Sequence, residues 1–335
     1  MISDSTYLLA LNVFIYEIGK ETLNNKELKH GYLEPIKEEI QPINLGTDDE
    51  PKMIQVGNTQ TALEKDALVA LLTEFKEIFA WSYEDMPGID KDIVQHCIPT
   101  DPTMKPVKQK LRRMKPEWIL KIKEEVEKQY NAGFLRVVNY PEWLANVVPM
   151  PKKDRKVRMC VDFQDPYKAS PKDDFPLPHI DILVDNTVGH ALLSFYGWLF
   201  SIQSDKNGSR RYRENLIHYS IRDVLLQGHG LKNAGATYQR AATTLLHYLI
   251  HKEVEVYVDD MIVKSKDRER HIPASQKFFE RIQFYKLWLN PNKCTFGVTS
   301  IKLLGLMVSQ RGIEAGPDKI KAIVEMKPPK TEIEI

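Results

Sequence analysis

The clearest hydrophobic and polar pattern of the chain lies in residues 254–263. Apolar residues at 254, 256 and 258 alternate with polar ones, and the apolar pattern resumes at Met261. A period of two is typical of a half-buried strand. The pattern therefore predicts a hairpin, in which Asp259 and Asp260 occupy the turn between two strands.

Other stretches show the 3.6-residue period of amphipathic helices. They cover residues 63–79, 117–131, 233–251 and 270–289, and a last helix is expected from Pro317 to about Met326. A further strand is predicted over 303–308, followed by a turn at 310–312. Because strands and helices do not alternate in a regular βα rhythm, we expect an α+β fold.

Two further regions differ in their pattern. The run 147–163 has apolar stretches on either side of a turn rich in Lys and Arg, which predicts a hairpin with a basic tip. Such a tip either grips phosphates or only keeps the turn soluble. Residues 1–60 show no clear period and are predicted to be a disordered or loosely ordered leader.

Composition narrows the class of protein. The 335 residues are 42% hydrophobic and 28% charged, which is ordinary for a globular protein. The three cysteines lie far apart without a CxxC pair, which argues against structural zinc and against a disulfide scaffold. No apolar run approaches the length of a membrane span, so no membrane partner is expected.

The net charge of +1 hides a strong segregation. Residues 1–104 carry 8 Lys and Arg against 19 Asp and Glu, a net charge of −11. Residues 105–158 carry 15 against 6, a net charge of +9. A basic block of this kind indicates either a polyanionic partner or a salt-bridged helix face.

The aspartate pair also has two interpretations. Adjacent carboxylates repel each other, so Asp259 and Asp260 favour a bound cation, and Mg²⁺ suits such oxygen ligands. A solvated Asp-Asp turn is the alternative, since such turns are common in hairpins. The four residues alone leave both interpretations open.

Several motifs stand in a characteristic order along the chain. They are the basic hairpin with Val161-Asp162-Phe163, Phe175-Pro176-Leu177-Pro178, Gly230-Leu231-Lys232-Asn233-Ala234-Gly235-Ala236-Thr237-Tyr238-Gln239, Tyr257-Val258-Asp259-Asp260 and Asn290-Pro291-Asn292-Lys293-Cys294. In this order they resemble the reverse transcriptase of gypsy-type LTR retrotransposons, of the kind abundant in plants. The resemblance runs from about Ala62 to the end of the sequence.

The resemblance implies a right-hand polymerase fold with fingers, palm and the start of a thumb. It implies an RNA-directed DNA polymerase that uses Mg²⁺, or Mn²⁺, to copy an RNA or DNA template-primer with dNTPs. By the same resemblance, Asp259 and Asp260 are the catalytic metal ligands, Lys153, Arg158, Gln239 and Tyr257 bind the nucleotide or template, and Leu304 and Gly305 hold the primer.

The resemblance also divides the chain. It implies a reverse transcriptase domain over 61–335, with the fingers at about 105–178, the palm core at 179–270, and the palm end and thumb start at 271–335. No Asp-Thr/Ser-Gly protease motif occurs, and the RNase H and integrase regions are not found in this chain. We therefore expect a piece of a Pol polyprotein.

The match breaks down over residues 196–229. Leu192-Leu193-Ser194-Phe195 is present, but the third palm aspartate of the family, which should follow at once, is replaced by Tyr196-Gly197-Trp198. Codons for these three residues, read one base later, can encode Met-Asp-Gly. We therefore interpret 196–229 as a frameshifted insert, and the coding DNA translated in the next frame would test this. The family has a central palm strand in this region, and the polar, basic stretch 204–213 that stands in its place cannot fill a core strand.

Two functions follow from these observations. The first is a reverse transcriptase impaired by the loss of this missing aspartate, which is the first of the three palm aspartates along the chain. The second is a catalytically dead remnant of that polymerase, which at most binds nucleic acid through its basic fingers.

Overall fold

The structure is a computed structural model that describes residues 39–82, 85, 100–131, 143–151, 157–199, 233–316 and 322. The chain divides into two compact units, residues 38–314 and a second unit that joins residues 1–37 with residues 315–335. The first unit contains nearly all of the described residues and carries the elements discussed below.

The described residues include six α-helices. They are α1 (Ala62–Glu74), α2 (Pro116–Asn131), α3 (Gln164–Ala169), α4 (Ile180–Thr187), α5 (Ala234–Leu245) and α6 (His271–Phe284). A capping box begins α1: the Thr61 hydroxyl accepts a hydrogen bond from the Glu64 N–H, and the Glu64 carboxylate accepts one from the Thr61 N–H. The helix predicted over 63–79 ends at Glu74 and is followed by a 3₁₀ turn, Lys76–Ile78.

Twelve strands lie in the same part of the chain. They are β1 (Ile40–Asn44), β2 (Met53–Gly57), β3 (Val147–Pro151), β4 (Val157–Val161), β5 (Leu192–Leu199), β6 (Val254–Tyr257), β7 (Asp260–Ser265), β8 (Trp288–Leu289), β9 (Thr295–Val298), β10 (Ser300–Leu303), β11 (Leu306–Ser309) and β12 (Gly312–Ala315). The helices and strands confirm the expected α+β class.

Seven of the strands form one sheet. Its order is β1-β2-β9-β5-β7-β6, and β8 pairs with β5 outside this path. The pairing of β2 with β9 is parallel and the other pairings are antiparallel. Two smaller sheets are formed by β10-β11-β12 and by the predicted basic hairpin β3-β4. Strands β5 and β7 thus lie in the interior of the large sheet.

The main hydrophobic core gathers residues of this sheet with residues of α1, α5 and α6. Tyr196 is fully buried, and its ring centroid lies 4.7 Å from that of Phe278, 5.8 Å from Phe279 and 5.5 Å from Phe296. Each aromatic pair of this kind contributes about 0.5–1.5 kcal/mol beyond the area that it buries. Tyr196 therefore anchors the middle of β5 in the core.

Strand β5 extends into the start of the predicted insert. It continues through Tyr196 to Leu199 and pairs with β7, β8 and β9, and the aromatic ring of Tyr196 is buried in the core. The rest of the predicted insert, residues 200–229, lies outside the described residues, and so does the stretch 204–213 that was predicted not to fill a core strand.

The prediction of a disordered or loosely ordered leader is wrong over residues 40–57. These residues form the β1-β2 hairpin, and β2 extends the large sheet by pairing with β9. Ile54 and Val56 are completely buried in the main core. The alternation of Ile54 and Val56 was too short to stand out as a strand, and the partner strand β9 lies more than two hundred residues away.

The strand predicted over 303–308 is instead a hairpin. Strands β10 and β11 pair with Leu303 opposite Leu306, and Leu304 and Gly305 form a two-residue turn with φ of 49° and 90°. Two consecutive positive φ values are typical of a type I′ turn, which matches the twist of the flanking strands. The helix predicted from Pro317 falls almost wholly outside the described residues.

Candidate active site

The two aspartates lie where the sequence predicts, at the tip of the β6-β7 hairpin. Tyr257 pairs with Asp260, so Val258 and Asp259 form the turn and Asp260 is the first residue of β7. Val258 has a φ of 51°. A β-branched residue rarely adopts a positive φ, and such strain persists only where the surroundings enforce it.

Gln239 of α5 enforces this turn. Its Nε2 donates a hydrogen bond to the Val256 carbonyl at 3.2 Å, and its Oε1 accepts one from the Val258 N–H at 2.9 Å. The side chain is only 4% exposed, so both ends of the amide are used inside the protein. The structure thus brings the predicted Gln239 to the hairpin, in contact with its backbone.

The environment of the two carboxylates disfavours their negative charge. The pKa of Asp259 is raised to about 6, mainly because the carboxyl group is buried; Lys293 lowers this pKa and the adjacent Asp260 raises it. Burial also raises the pKa of Asp260, again against the effect of Lys293. Two half-buried, neighbouring carboxylates therefore require positive charge, and the described structure places Lys293 to provide it.

Gly197 occupies the position opposite these carboxylates. It is the direct partner of Asp260 in the pairing of β5 with β7. Side chains of directly paired residues stand next to each other on the same face of a sheet. A carboxylate at residue 197 would thus lie beside that of Asp260, but glycine provides no ligand there.

Lys293 fills the space next to Gly197. A Cβ atom added at Gly197 would lie 2.4 Å from the Cβ and 2.7 Å from the Cδ of Lys293. Lys293 ends the 3₁₀ turn Pro291–Lys293, which is tied to β5 because the Asn290 N–H donates to the Gly197 carbonyl at 2.9 Å. The lysine stem thus covers the face on which a third carboxylate would stand.

These residues do not fit a pair of metal ions. Within the described ranges, no group of three or more His, Cys, Asp and Glu side chains is placed to hold a metal. Two carboxylates with water and phosphate oxygens suit a single Mg²⁺ ion at most. An ammonium group beside those carboxylates competes with any cation for the same charge.

The other predicted site residues are spread around this hairpin. Tyr257 is half-buried against the smaller apolar cluster, and Leu304 and Gly305 form the tip of the β10-β11 turn. The backbone of Arg158 pairs with Met150 in the β3-β4 hairpin. Lys153 and the side chain of Arg158 lie outside the described residues.

Sequence reasoning had missed the importance of Gly197 and Lys293 as a contacting pair. The motif that contains Lys293 was recognisable, and its position after the aspartates was the available signal. Nothing in the sequence, however, shows that the turn at 291–293 folds back against β5.

Comparison with solved structures identifies the fold. The foamy virus protease-reverse transcriptase in complex with an RNA/DNA hybrid matches with a TM-score of 0.67 at 19% identity, over 82% of this chain and 37% of that one. The same viral protein in complex with dsDNA matches with a TM-score of 0.65 at 17% identity, over 82% of this chain and 57% of that one. The fold is that of a right-hand polymerase.

Sequence comparison then gives the proteins to which the chain is similar. Residues 223–308 match the family model described as "Reverse transcriptase (RNA-dependent DNA polymerase)". The Pol polyproteins of the Drosophila melanogaster transposons 297 and opus are 26% and 27% identical, over 64% and 62% of this chain and 21% of each relative. A Tf2-3 transposon polyprotein of Schizosaccharomyces pombe is 23% identical over 56% of this chain and 14% of its own length.

The chain thus spans about a fifth of the length of the Drosophila relatives. Its residues 223–308 are similar to the reverse transcriptase family model, and the chain is similar to parts of transposon Pol polyproteins. No helix among the described residues is long and apolar enough to cross a membrane.

Proposed function

We propose that this chain is the reverse transcriptase region of a gypsy-type LTR retrotransposon of a plant, impaired in nucleotidyl transfer but still able to bind a template-primer. The ordered motifs support the gypsy-type and plant assignment. The foamy virus relatives in complex with dsDNA and with an RNA/DNA hybrid support nucleic acid as the partner. In an intact site of this kind, Asp259 and Asp260 would contribute ligands to Mg²⁺, which would supply the positive charge that favours attack of the primer 3′ hydroxyl on a dNTP and release of pyrophosphate.

The proposal of impaired activity rests on the pairing of Gly197 with Asp260. Two-metal nucleotidyl transfer requires more ligands than one hairpin provides, and the neighbouring strand provides none at residue 197. We accordingly expect Asp259 and Asp260 to be insufficient for polymerase activity at the rate of intact relatives.

The described part of the basic block supports the retained binding. Lys108, Lys110 and Arg112 are exposed, while Gln109 between them is fixed in place. The Gln109 N–H donates to the Leu144 carbonyl at 2.9 Å, and its Oε1 accepts from the Asn146 N–H at 2.9 Å. A rigid segment that presents several cations suits a phosphate backbone, since little conformational freedom is lost on binding.

Primer extension tests the impairment. The chain would be given an RNA template, a DNA primer and dNTPs with Mg²⁺ or Mn²⁺, and Asp259→Asn would serve as the blank. We expect extension by the unchanged chain to stay within a few-fold of that blank. Extension more than about a hundredfold above it, equivalent to about 2.7 kcal/mol of barrier, would overturn the impairment.

Fluorescence anisotropy with a labelled template-primer tests the binding. Lys153→Ala, Arg158→Ala and Lys110→Ala should each weaken binding and reduce the salt slope by about one unit, because each removes one phosphate contact. Lys252→Ala, at an exposed lysine at the other end of β6, is the matched control. Salt-independent binding, or equal effects of all four changes, would refute recognition through the basic fingers.

A further inference from the structure

A basic cleft of about 360 Å³ lies at the end of β7, away from the two aspartates. Strand β7 runs from Asp260 to Ser265, a length of about 17 Å, and Ser265 lines the cleft. Five cations line it as well, namely Lys252, Lys264, Lys266, Arg270 and Lys277, against the two acids Glu253 and Asp267. The cleft is therefore positively charged and separate from the β6-β7 turn.

Three of the five cations are already balanced by acids. The pairs are Lys264 with Glu255 at 2.8 Å, Arg270 with Asp267 at 3.2 Å and Lys277 with Glu253 at 2.5 Å. Lys252 and Lys266 are exposed, and neither forms an ion pair with a described residue. An excess of two positive charges thus remains at the cleft.

His190 places a buried polar atom in the wall of this cleft. The residue is only 8% exposed, and its Nδ1 lies 3.0 Å from the Thr187 carbonyl and 3.2 Å from the Val188 carbonyl. Because both partners are acceptors, Nδ1 carries the proton. Nε2, at the opposite edge of the ring, has no hydrogen-bond partner among the described residues. Buried polar atoms are normally paired, so this atom points to a ligand in the cleft.

The surroundings of His190 keep its ring neutral when no anion is bound. Burial lowers its pKa from 6.5, and the charges of Lys264 and Lys266 lower it as well. An anion held beside these lysines would cancel their field and accept a hydrogen bond from a protonated Nε2. Protonation of His190 and binding of an anion therefore favour each other.

The N-terminus of α6 adds to the positive potential of the cleft. Pro273 and Ala274, in the first turn of this helix, line the cleft. Arg270, the N-cap residue, provides no side-chain hydrogen bond to the helix. The partial positive charge of a helix N-terminus favours a bound anion.

We propose that this cleft binds a terminal phosphate group, as inorganic phosphate or as a phosphate monoester, between Lys252, Lys266 and the Nε2–H of protonated His190. A terminal phosphate carries nearly two negative charges and three acceptor oxygens, which match these three donors. The volume equals that of about a dozen water molecules, so part of an attached molecule also fits. The site goes beyond the proposed function and does not depend on it.

Isothermal titration with sulfate at constant ionic strength tests the role of His190. Sulfate keeps its double charge between pH 5.5 and 7.5, so any change in affinity reports on the protein. We expect the unchanged chain to bind sulfate at least about tenfold more tightly at pH 5.5 than at pH 7.5. His190→Asn retains an N–H for the Thr187 carbonyl but lacks Nε2, and it should reduce this ratio to less than about twofold.

His247→Asn is the matched control for that change. The Nδ1 of His247 also lies 3.0 Å from the carbonyl three residues before it, but His247 is exposed and does not line the cleft. Its substitution should leave the pH ratio of the unchanged chain intact. An equal loss of the ratio in both variants would contradict the role of His190.

Three exposed lysines test the charge at pH 5.5. Lys252→Ala and Lys266→Ala should each weaken sulfate binding at least about fivefold, because each removes a charge-assisted hydrogen bond. Lys302→Ala, on β10 and outside the cleft, should leave the affinity unchanged. If circular dichroism shows that His190→Asn does not fold, these variants and the pH ratio of the unchanged chain decide.

Competition with sulfate distinguishes the two sources of the phosphate group. Inorganic phosphate and adenosine monophosphate would be titrated separately at pH 6.5. At least about fivefold tighter binding of the nucleotide would identify a phosphate monoester, and equal or weaker binding would identify inorganic phosphate. Failure of both to displace sulfate would overturn the proposal.

Template-primer anisotropy separates this site from the proposed function. Lys252→Ala and Lys266→Ala should leave template-primer binding and its salt slope unchanged. A loss of template-primer affinity in Lys266→Ala would make the cleft part of a nucleic-acid surface and overturn a small-anion site. Absence of sulfate binding at pH 5.5, or binding that is independent of pH, would also overturn it, whatever the chain does with nucleic acid.

Discussion

His271 shows how one buried polar residue joins the central strands to α6. Its Nε2 lies 2.7 Å from the Ser194 hydroxyl and its Nδ1 lies 3.0 Å from the Ser265 hydroxyl. Assigned from these partners, the neutral tautomer with a proton on Nδ1 satisfies every group. Ser265 accepts from Nδ1–H and donates to the Leu192 carbonyl, while Ser194 donates to Nε2 and accepts from the Gly297 N–H.

This arrangement predicts a pH dependence of stability. Burial and the nearby Arg268 lower the pKa of His271 from 6.5 to about 4, so the unfolded chain binds the proton more readily. The stability that depends on neutral His271 is present above about pH 6.5 and is lost as pH falls toward 4. Its full size is about 3 kcal/mol, from about 1.4 kcal/mol per pKa unit.

Urea unfolding of the unchanged chain and of His271→Asn between pH 4 and 7 measures this effect. The difference between their free energies of unfolding should rise with pH across the window, while the same change at the exposed His247 provides the control. Asp259 has a raised pKa, so its contribution to stability falls as pH rises through the same window, whereas that of His271 rises. The difference between the two variants' free energies of unfolding therefore reports on His271, and the pH slope of either variant alone does not. A difference that is flat in pH would contradict the prediction.

At the scale of elements, a buried ion pair fixes the β6-β7 hairpin to α4. Glu255 and Lys264 are 1% and 3% exposed, and their Oε1 and Nζ atoms are 2.8 Å apart. Lys264 also donates to the Asn186 carbonyl at the end of α4, and the Oε2 of Glu255 lies 3.0 Å from the Nδ1 of His251. The pair therefore aligns the strand that carries Asp260 with the helix behind it.

Lys264→Met should destabilise the fold by about 3–5 kcal/mol, because it leaves the Glu255 carboxylate buried without its partner. The double change Glu255→Leu with Lys264→Met should recover most of that loss, since apolar side chains can replace a buried pair. Denaturant midpoints of the two variants at pH 7 measure the difference. A double variant as unstable as the single one would show that the pair itself, and not the unpaired charge, matters.

At the scale of the whole molecule, the β1-β2 hairpin completes the large sheet. Ile54 and Val56 of β2 lie in the same core as the aromatic side chains around Tyr196. Gln60, just after β2, donates to the Gly297 carbonyl at 2.7 Å and links the hairpin to β9. Residues before the predicted reverse transcriptase domain thus form part of its core.

A chain that begins at Thr61 should therefore be much less stable than one that begins at Glu39. Loss of β2 leaves one edge of β9 unpaired and removes Ile54 and Val56 from the core. Within the intact chain, Ile54→Ala alone should cost about 2–5 kcal/mol, and Ile40→Ala on the exposed edge strand is its control. Equal thermal unfolding midpoints of the two truncated chains would show that the hairpin is dispensable.

Much of this fold followed from local patterns. The period-two alternation at 254–258 and the acidic pair predicted the β6-β7 hairpin, and the helical periods predicted α1, α2, α5 and α6, because these signals lie within one continuous stretch. The prediction that failed over 40–57 concerned a strand whose partner β9 is distant in sequence, and local pattern cannot report such a partner.

The sequence by itself determined which residues are present at the candidate site: two adjacent aspartates, the glutamine motif before them, and no third aspartate after Phe195. Only the tertiary structure decided what these residues do to one another. It placed Gly197 opposite Asp260, laid Lys293 over that glycine, and directed both ends of the Gln239 amide to the hairpin backbone. The physical reason is that strand register and side-chain contact depend on packing between distant segments, whereas the identity of a residue does not.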